Sequence, residues 1–461
     1  MALKPADAEL RLHRGVLIAI VATMPLLAAL WGFADQQRGA PNWPADLVDA
    51  TPRGRIVSRD GQVLADGPVQ ARRYPQGTLA GPLIGFTGAI QPDGRHGLEG
   101  LEHTLDTRLQ SGENVVLTID ATLQAAAESR LAETVATYEA RSATAVILEV
   151  GTGRVLAAAS WPTYDPNDKG ASDRAAIRNR PLVQVYEPGS VMKPFLVAGL
   201  LESGRLDPDE MIESPMTLRV GWKTFRDVAQ HEPLLSVADV LRYSSNTGTI
   251  ALGQRFESAE LHAWLAAFGF GQELAQRLAF AARGALTDPA RWVPQDHATI
   301  AIGQGVATTN LQLAAAYAVI AQDGVYVAPR LVEDERLPAD YRVLSPETAL
   351  AVRHMMQYTV EAGSLRQSAV PGVPTAGKTG TADVYDADLQ AYVAGRYAVT
   401  FAGMFPVERP EVVMVVTVHE PTTVTSSTLV AAPLFRAISA EVVARWAVAP
   451  DAPAWARAAV R

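Results

Sequence analysis

Residues 15–34, GVLIAIVATMPLLAALWGFA, run for 20 positions without a charged side chain. Wound as an α-helix they reach about 30 Å, the thickness of the hydrocarbon core of a bilayer. Within lipid a segment must satisfy its own backbone hydrogen bonds, so this stretch is restricted to a helix, and Pro25 near its centre is tolerated where a neighbouring helix takes up the freed carbonyl. Lys4, Arg11 and Arg14 precede it, which puts residues 1–14 in the cytoplasm and everything beyond residue 34 outside. The competing reading is a signal peptide cleaved near Gly32-x-Ala34. Twenty apolar residues are long for that purpose, and an uncleaved single-pass anchor is the expectation.

The rest of the chain has to fold in water. With 461 residues, 48% apolar and 19% charged, it has the material for two or three globular domains and not the composition of a disordered or fibrous chain. A net charge of −9 offers no basic footprint for nucleic acid. There is no Cys, and the eight His show no ligand spacing, so neither a metal nor any other cofactor is expected.

A polar linker, 35–52, leads to two short alternating runs around Asp60-Gly61, a hairpin signal within residues 53–65. Residues 97–102 (GLEGLE) and a short helical pattern precede a strand over 114–119. Asp120 caps a helix with Leu123, Ala127, Leu131 and Val135 on one face. Apolar runs over 143–150 and 154–160 read as a hairpin turning at Gly151-Thr152-Gly153. From Phe195 to about Asp323 the pattern is helical with Gly and Pro breaks, including the capping box Ser236-x-x-Asp239. Strands return over 375–382, 397–404 and 412–418, and a helix over 434–448 closes the chain. This order predicts an α/β (α+β) fold: an antiparallel sheet flanked by helices, with a helical subdomain on one side.

Within that plan Ser190 is the only serine followed three residues later by a lysine. Pro188-Gly189 is a turn and 195–201 an apolar helical run, so Ser190 opens a helix and Lys193 lies one turn further on the same face. A serine hydroxyl needs a base to become a good nucleophile; a neutral lysine can serve, and an arginine cannot. Such a lysine must be buried or lie beside another cation. Of the 40 basic residues only five are Lys, at 4, 169, 193, 223 and 378, which gives a Lys at this spacing some weight. Alone, Ser-x-x-Lys is still more often an ordinary helix start.

Two further clusters bear on it. Ser244-Ser245-Asn246 follows the capping-box helix on a loop, with Ser244 as a candidate proton relay and Asn246 as a candidate donor to a carbonyl; such residues are also common in loops for their own sake. Lys378-Thr379-Gly380-Thr381 lies in the strand over 375–382. By the period of two, Thr379 and Thr381 share one face and Lys378 and Gly380 the other. The hydroxyls suit a carboxylate, Gly380 permits close backbone approach, and Lys378 supplies a positive charge. Gly372 gives Gly377-Lys378-Thr379 the spacing of a phosphate loop, but the segment leads into a strand and not from a strand into a helix, which rejects that reading.

Ser-x-x-Lys, Ser-x-Asn and Lys-Thr-Gly in this order are the set of the penicilloyl-serine transferases. With them the chain resembles the class B penicillin-binding proteins, the peptidoglycan D,D-transpeptidases, and most resembles their cell-division type. Residues 53–65 are similar to that family's membrane-proximal signature, with Ser58 at an Asp position, and 97–102, 117–120, 162–167, 187–193, 303–305 and 432–435 are family-like. Only about fifty residues stand between the signature and the main domain, far fewer than the family's usual pedestal.

The resemblance implies a cytoplasmic tail (1–14), a span (15–34), a short membrane-proximal module (35–112), a transpeptidase domain outside the cytoplasmic membrane (113–450) and a tail (451–461). It implies that Lys193 takes the proton of Ser190, which attacks a stem peptide ending in D-Ala-D-Ala, with the backbone N–H groups of Ser190 and Thr381 as oxyanion hole. Ser244 and the Lys193/Lys378 pair would return a proton to the departing D-Ala, Asn246 would hold the substrate amide, and Thr379 with Thr381 the terminal carboxylate, Gly380 between them belonging to the same substrate site. β-Lactams would acylate Ser190. The implied partners are a multi-span glycan polymerase of the shape, elongation, division and sporulation type and other division proteins. A D,D-carboxypeptidase shares every motif, and it and an elongation-type enzyme stay open; a β-lactam sensor or a silent scaffold fits an intact motif set less well.

Overall fold

Two groups of β-runs that the sequence separates by more than two hundred residues meet in one sheet. The computed structural model describes residues 52–447, apart from 169, 171–172, 275–280 and 387–388; the expected span over 15–34 and both tails lie outside the described residues.

The chain enters through a small three-stranded sheet. β1 (Ile56–Val57) and β2 (Val63–Ala65) form the antiparallel hairpin expected around Asp60-Gly61, and β3 (Val115–Val116) runs parallel to β1 on its other side. Residues on both sides of position 112 therefore share a sheet. The strand expected over 114–119 is mostly an extended tie to the main body: Leu117 bridges to Val332, and Thr118 N–H donates to the Leu331 carbonyl. Beside the sheet, buried Arg53 donates from Nε to Glu102 Oε2 at 2.7 Å and from Nη1 to Asp106 Oδ1 at 2.8 Å, while Arg72 Nε donates to Glu102 Oε1 at 2.7 Å. Two guanidinium groups and two carboxylates cancel there. Gly54 beside Arg53 admits no side chain, since a Cβ would lie 1.8 Å from the Glu113 carbonyl oxygen.

Helix α1 (Ala121–Tyr138) starts where Asp120 Oδ1 accepts from Leu123 N–H at 3.1 Å. β4 (Ser142–Glu149) and β5 (Val155–Trp161) follow as the expected hairpin. After α2 (Lys193–Glu202) come β6 (Thr217–Val220), β7 (Lys223–Arg226), α3 (Val237–Arg242), α4 (Asn246–Gly253), α5 (Asn310–Ala321) and α6 (Pro346–Ala362). β8 (Ala376–Asp386), β9 (Ala391–Phe405), β10 (Val412–His419) and α7 (Ser427–Ala447) complete the fold. The main sheet is antiparallel throughout, ordered β8-β9-β10-β4-β5, and β8 is an edge strand.

Helices cover both sheet faces, which is why β10 reads as an almost unbroken apolar run. Val413 and Val415 pack with Val146, Leu148 and Leu311 of α5; Val412, Met414 and Val416 pack with Ile147, with Leu123 and Leu131 of α1, and with Phe435 and Ile438 of α7. Helix α7 is long and apolar enough to cross a membrane, yet Val430, Phe435, Ile438 and Val442 are buried in this core. It begins seven residues before the expected start at 434 and runs through Pro433. Proline removes the N–H that would reach the Leu429 carbonyl, and the Tyr138 hydroxyl of α1 donates to that carbonyl at 2.9 Å.

The expectation of helix from Phe195 to about Asp323 is wrong over 211–236. Met211–Glu213 pairs with Leu234–Ser236, and β6 pairs with β7 across Gly221, whose φ is +56°. The alternating burial of Thr217 to Arg226 is a half-exposed hairpin set between helical stretches.

Candidate active site

Ser190 sits in a 3₁₀ turn, Gly189–Met192, that leads into α2. The nucleophile candidate is therefore on the tighter turn ahead of the α-helix, and Lys193 is the first residue of the helix itself. Gly189 has φ +62°, and a Cβ there would lie 2.8 Å from the Thr381 carbonyl oxygen, so the turn packs directly on β8. From the other side, a Cβ on Gly380 would lie 2.4 Å from the Pro188 carbonyl oxygen. Glycine at both positions lets strand and turn touch.

Lys193 is fully buried, and its Nζ donates to the Ser244 carbonyl at 2.6 Å, to Asn246 Oδ1 at 2.8 Å and, more weakly, to Ser244 Oγ at 3.3 Å. Lys378, equally buried on β8, donates to Ser244 Oγ at 2.9 Å and to the Thr379 carbonyl at 3.1 Å. One hydroxyl thus stands between two lysine nitrogens. Burial pushes the Lys193 amine well below the ordinary lysine range, with Lys378 pushing the same way and Asp227 opposing; burial brings Lys378 down to about 7. Among the described residues Ser190 Oγ has no hydrogen-bond partner, and it faces a cavity of about 700 Å³.

The eight residues singled out in the sequence come together here. Ser190, Ser244, Asn246, Thr379, Gly380 and Thr381 line the cavity, and Lys193 and Lys378 lie beneath Ser244. The period of two holds along β8: Lys378 and Gly380 face Ser244 and the Ser190 turn, while Thr381 Oγ1 turns to the start of α7 and donates to Ser427 Oγ at 3.0 Å. Asn246 opens α4 and is not a loop residue; the carbonyl to which its Nδ2 donates is that of Arg226, at 2.9 Å. Ser244 itself has φ +55°, a strained value for a residue with a side chain.

Two supports were missed in the sequence. Asp227, at the end of β7, accepts from Ser245 Oγ at 2.6 Å, from Thr247 Oγ1 at 3.0 Å and from the Asn246 and Thr247 N–H groups. It lay inside the stretch read as helix, where Asp227 and His231 look like an ordinary i, i+4 pair. Glu187 Oε1 accepts from Gly305 N–H at 2.9 Å and from the Tyr392 hydroxyl at 2.7 Å, tying the Ser190 turn to the Gly303–Gly305 loop and to β9. A Cβ on Gly303 would lie 2.0 Å from the Gly189 carbonyl oxygen, which gives that glycine a packing reason. Chemically, a cavity-facing hydroxyl beside a lysine–serine–lysine chain of low proton affinity can attack a carbonyl and pass a proton on to a leaving group.

Residues 143–440 match the family described as the penicillin binding protein transpeptidase domain. The chain is 32% identical over 386 residues to a "Probable peptidoglycan D,D-transpeptidase PenA" of Neisseria gonorrhoeae, covering 76% of this chain and 64% of that protein. It is 30% identical over 449 residues to the "Peptidoglycan D,D-transpeptidase FtsI" of Escherichia coli K12, covering 88% and 75%. The crystal structure of penicillin binding protein 3 from Mycobacterium tuberculosis complexed with aztreonam superposes with a TM-score of 0.78 at 30% identity, over 87% of this chain and 98% of that one. The chain thus spans less than two thirds of the gonococcal relative's length.

Proposed function

The chain belongs to the penicillin-binding protein transpeptidase family, class B, and from that premise we propose that it is a peptidoglycan D,D-transpeptidase of the cell-division type. The observation that carries the reading is the Ser244 hydroxyl shared by two buried lysines beside Ser190. Ser190 Oγ attacks the carbonyl of the penultimate D-Ala of a stem peptide, and Lys193 takes its proton. The two short bonds from Lys193, to the Ser244 carbonyl and Asn246 Oδ1, use both N–H groups of a neutral amine and leave its lone pair free. The bond from Ser190 to Lys193 closes when substrate presses the hydroxyl inward, as catalytic contacts commonly tighten only in the complex.

The oxyanion forms where the Ser190 turn touches β8 and takes the backbone N–H groups of Ser190 and Thr381. Collapse breaks the peptide bond, and the proton returns from Lys193 through Ser244 to the departing D-Ala amine. An amine of a second stem peptide then attacks the ester on Ser190, forming the cross-link and freeing the serine. The outer edge of β8 suits an extended peptide, which can add as a further strand, with its carboxylate on Thr379 and Thr381. A β-lactam enters by the same path and stays on Ser190. Anchored by residues 15–34, the enzyme works outside the cytoplasmic membrane on strands supplied by a membrane glycan polymerase of the shape, elongation, division and sporulation type, alongside other division proteins.

The test is incubation of the full-length protein with a polymerised lipid-linked glycan. Dimeric stem peptides that vanish in Ser190→Ala are expected; trimmed monomers alone would make the protein a carboxypeptidase.

A further inference from the structure

The turn that carries Ser244 and Asn246 is held by one carboxylate. Besides the Asn246 N–H, Asp227 accepts from Ser245 Oγ at 2.6 Å, Thr247 Oγ1 at 3.0 Å and Thr247 N–H at 3.1 Å. These donors flank the two close acceptors of Lys193, the Ser244 carbonyl and Asn246 Oδ1. They also hold Ser244 at its left-handed φ, a conformation that persists only where its surroundings impose it. A bare carboxylate this close to Lys193 would work against a neutral amine, because it favours the charged form.

The aspartate has a second partner. The His231 side chain is fully buried, with Nε2 2.7 Å from Asp227 Oδ2 and Nδ1 2.7 Å from the Glu232 carbonyl oxygen. A carboxylate and a carbonyl only accept, so both ring nitrogens carry hydrogen and the ring is an imidazolium. The groups facing His231 are Asp227, the Glu232 carboxylate and the Tyr243 ring, 5.5 Å away between centroids. Those bearing on Lys193 are Lys378 from β8 and Asp227.

We propose that Asp227 and His231 are positioning residues for the acyl transfer: an ion pair that clamps the Ser244–Thr247 turn while cancelling the aspartate's charge at Lys193. This rests on the reading of Lys193 as the proton acceptor of Ser190. The clamp alone would need only the carboxylate. The histidine is there because the clamp stands next to a lysine that must give up its proton.

The test is the pH dependence of acylation by a fluorescent penicillin, measured on the full-length protein. A neutral Lys193 makes the rate climb with pH along an acidic limb to a plateau. His231→Gln keeps a donor for Asp227 and removes the positive charge, so its limb should move about one pH unit to the alkaline side, roughly tenfold slower along the limb, with the plateau within a few-fold of wild type. Asp227→Asn combined with His231→Gln restores a neutral pair, and its limb should return to the wild-type position whatever its plateau. A misfolded fraction lowers the amplitude of labelling and leaves the position of the limb unchanged. Coincident limbs for wild type and His231→Gln would overturn the proposal, as would an alkaline limb that persists in the double variant. A wild-type protein that takes no label on Ser190 would overturn the reading of Ser190 itself, and this proposal with it.

Discussion

Two clusters of charge buried among the described residues are built on opposite plans. Beside the small three-stranded sheet Arg53 and Arg72 meet Glu102 and Asp106, so each charge has an opposite within hydrogen-bonding distance. Around Ser244 two lysines converge, and the carboxylate that bears on Lys193, Asp227, is bonded to His231 and not to either lysine. Removing charges from water is costly, and opposite partners with good geometry offset that cost. The first cluster uses the offset to hold the chain beside the small three-stranded sheet. The second forgoes it, and the unrelieved cost appears as lysines that shed protons easily. A buried cation without a counter-ion is tolerated where its weak hold on a proton is of use.

The sharpest way to break the contrast is to remove a charge from each side. Lys193→Met keeps the buried volume and deletes the amine. Acylation by a fluorescent penicillin should fall by roughly 10²- to 10⁴-fold, the usual contribution of a positioned acid or base. The thermal transition should move by no more than a few degrees, because the lost hydrogen bonds are set against the relief of burying a polar amine. A large drop in the transition temperature would put Lys193 in the same class as Arg53.

Glu102→Gln tests the other cluster. It leaves two buried guanidinium groups with one carboxylate, and breaking such a network typically costs about 3–5 kcal/mol. Denaturant titration should show that loss, while acylation per folded molecule stays at the wild-type rate. A protein of unchanged stability would mean that water reaches and relieves the cluster.

The two clusters differ as much in how well they could be read from sequence. Ser190 with Lys193, and Lys378 with Thr379 and Thr381, were legible because each set is contiguous in sequence, on a turn running into a helix and on one strand, so local spacing alone brings its members together. The sheet was legible too, since strands covered on both faces have to be apolar throughout, as Val412 to Val416 are. Asp227 was not legible: its partners stand 18 to 20 residues away on another turn, and nothing local distinguishes it from a surface aspartate. The start of α7 was hidden for a related reason. Pro433 should end a helix, and only a tyrosine from α1 supplies the missing donor. What escaped in both cases is a polar group whose partner arrives through tertiary structure.

The finest contrast lies within the active site, between its cationic end and its hydroxyl end. If the substrate carboxylate is drawn simply to charge, it goes to Lys378, and the threonines matter little. Lys378 is fully buried, however, and is already committed to Ser244 Oγ and the Thr379 carbonyl. Thr381 is exposed to the cavity, and its hydroxyl rests on Ser427 at the first residue of the 21-residue helix α7, where the backbone dipole favours an anion. Thr381→Val keeps a β-branched residue on the strand and removes only the hydroxyl. A hydrogen bond to a charged group contributes about 1.5–3 kcal/mol, so acylation should slow by roughly ten- to a hundred-fold. The loss should vanish with a substrate analogue whose carboxylate is replaced by an amide, because the charged partner is then absent from both proteins. Equal rates for Thr381→Val and wild type with the natural carboxylate would move that group to the lysine end.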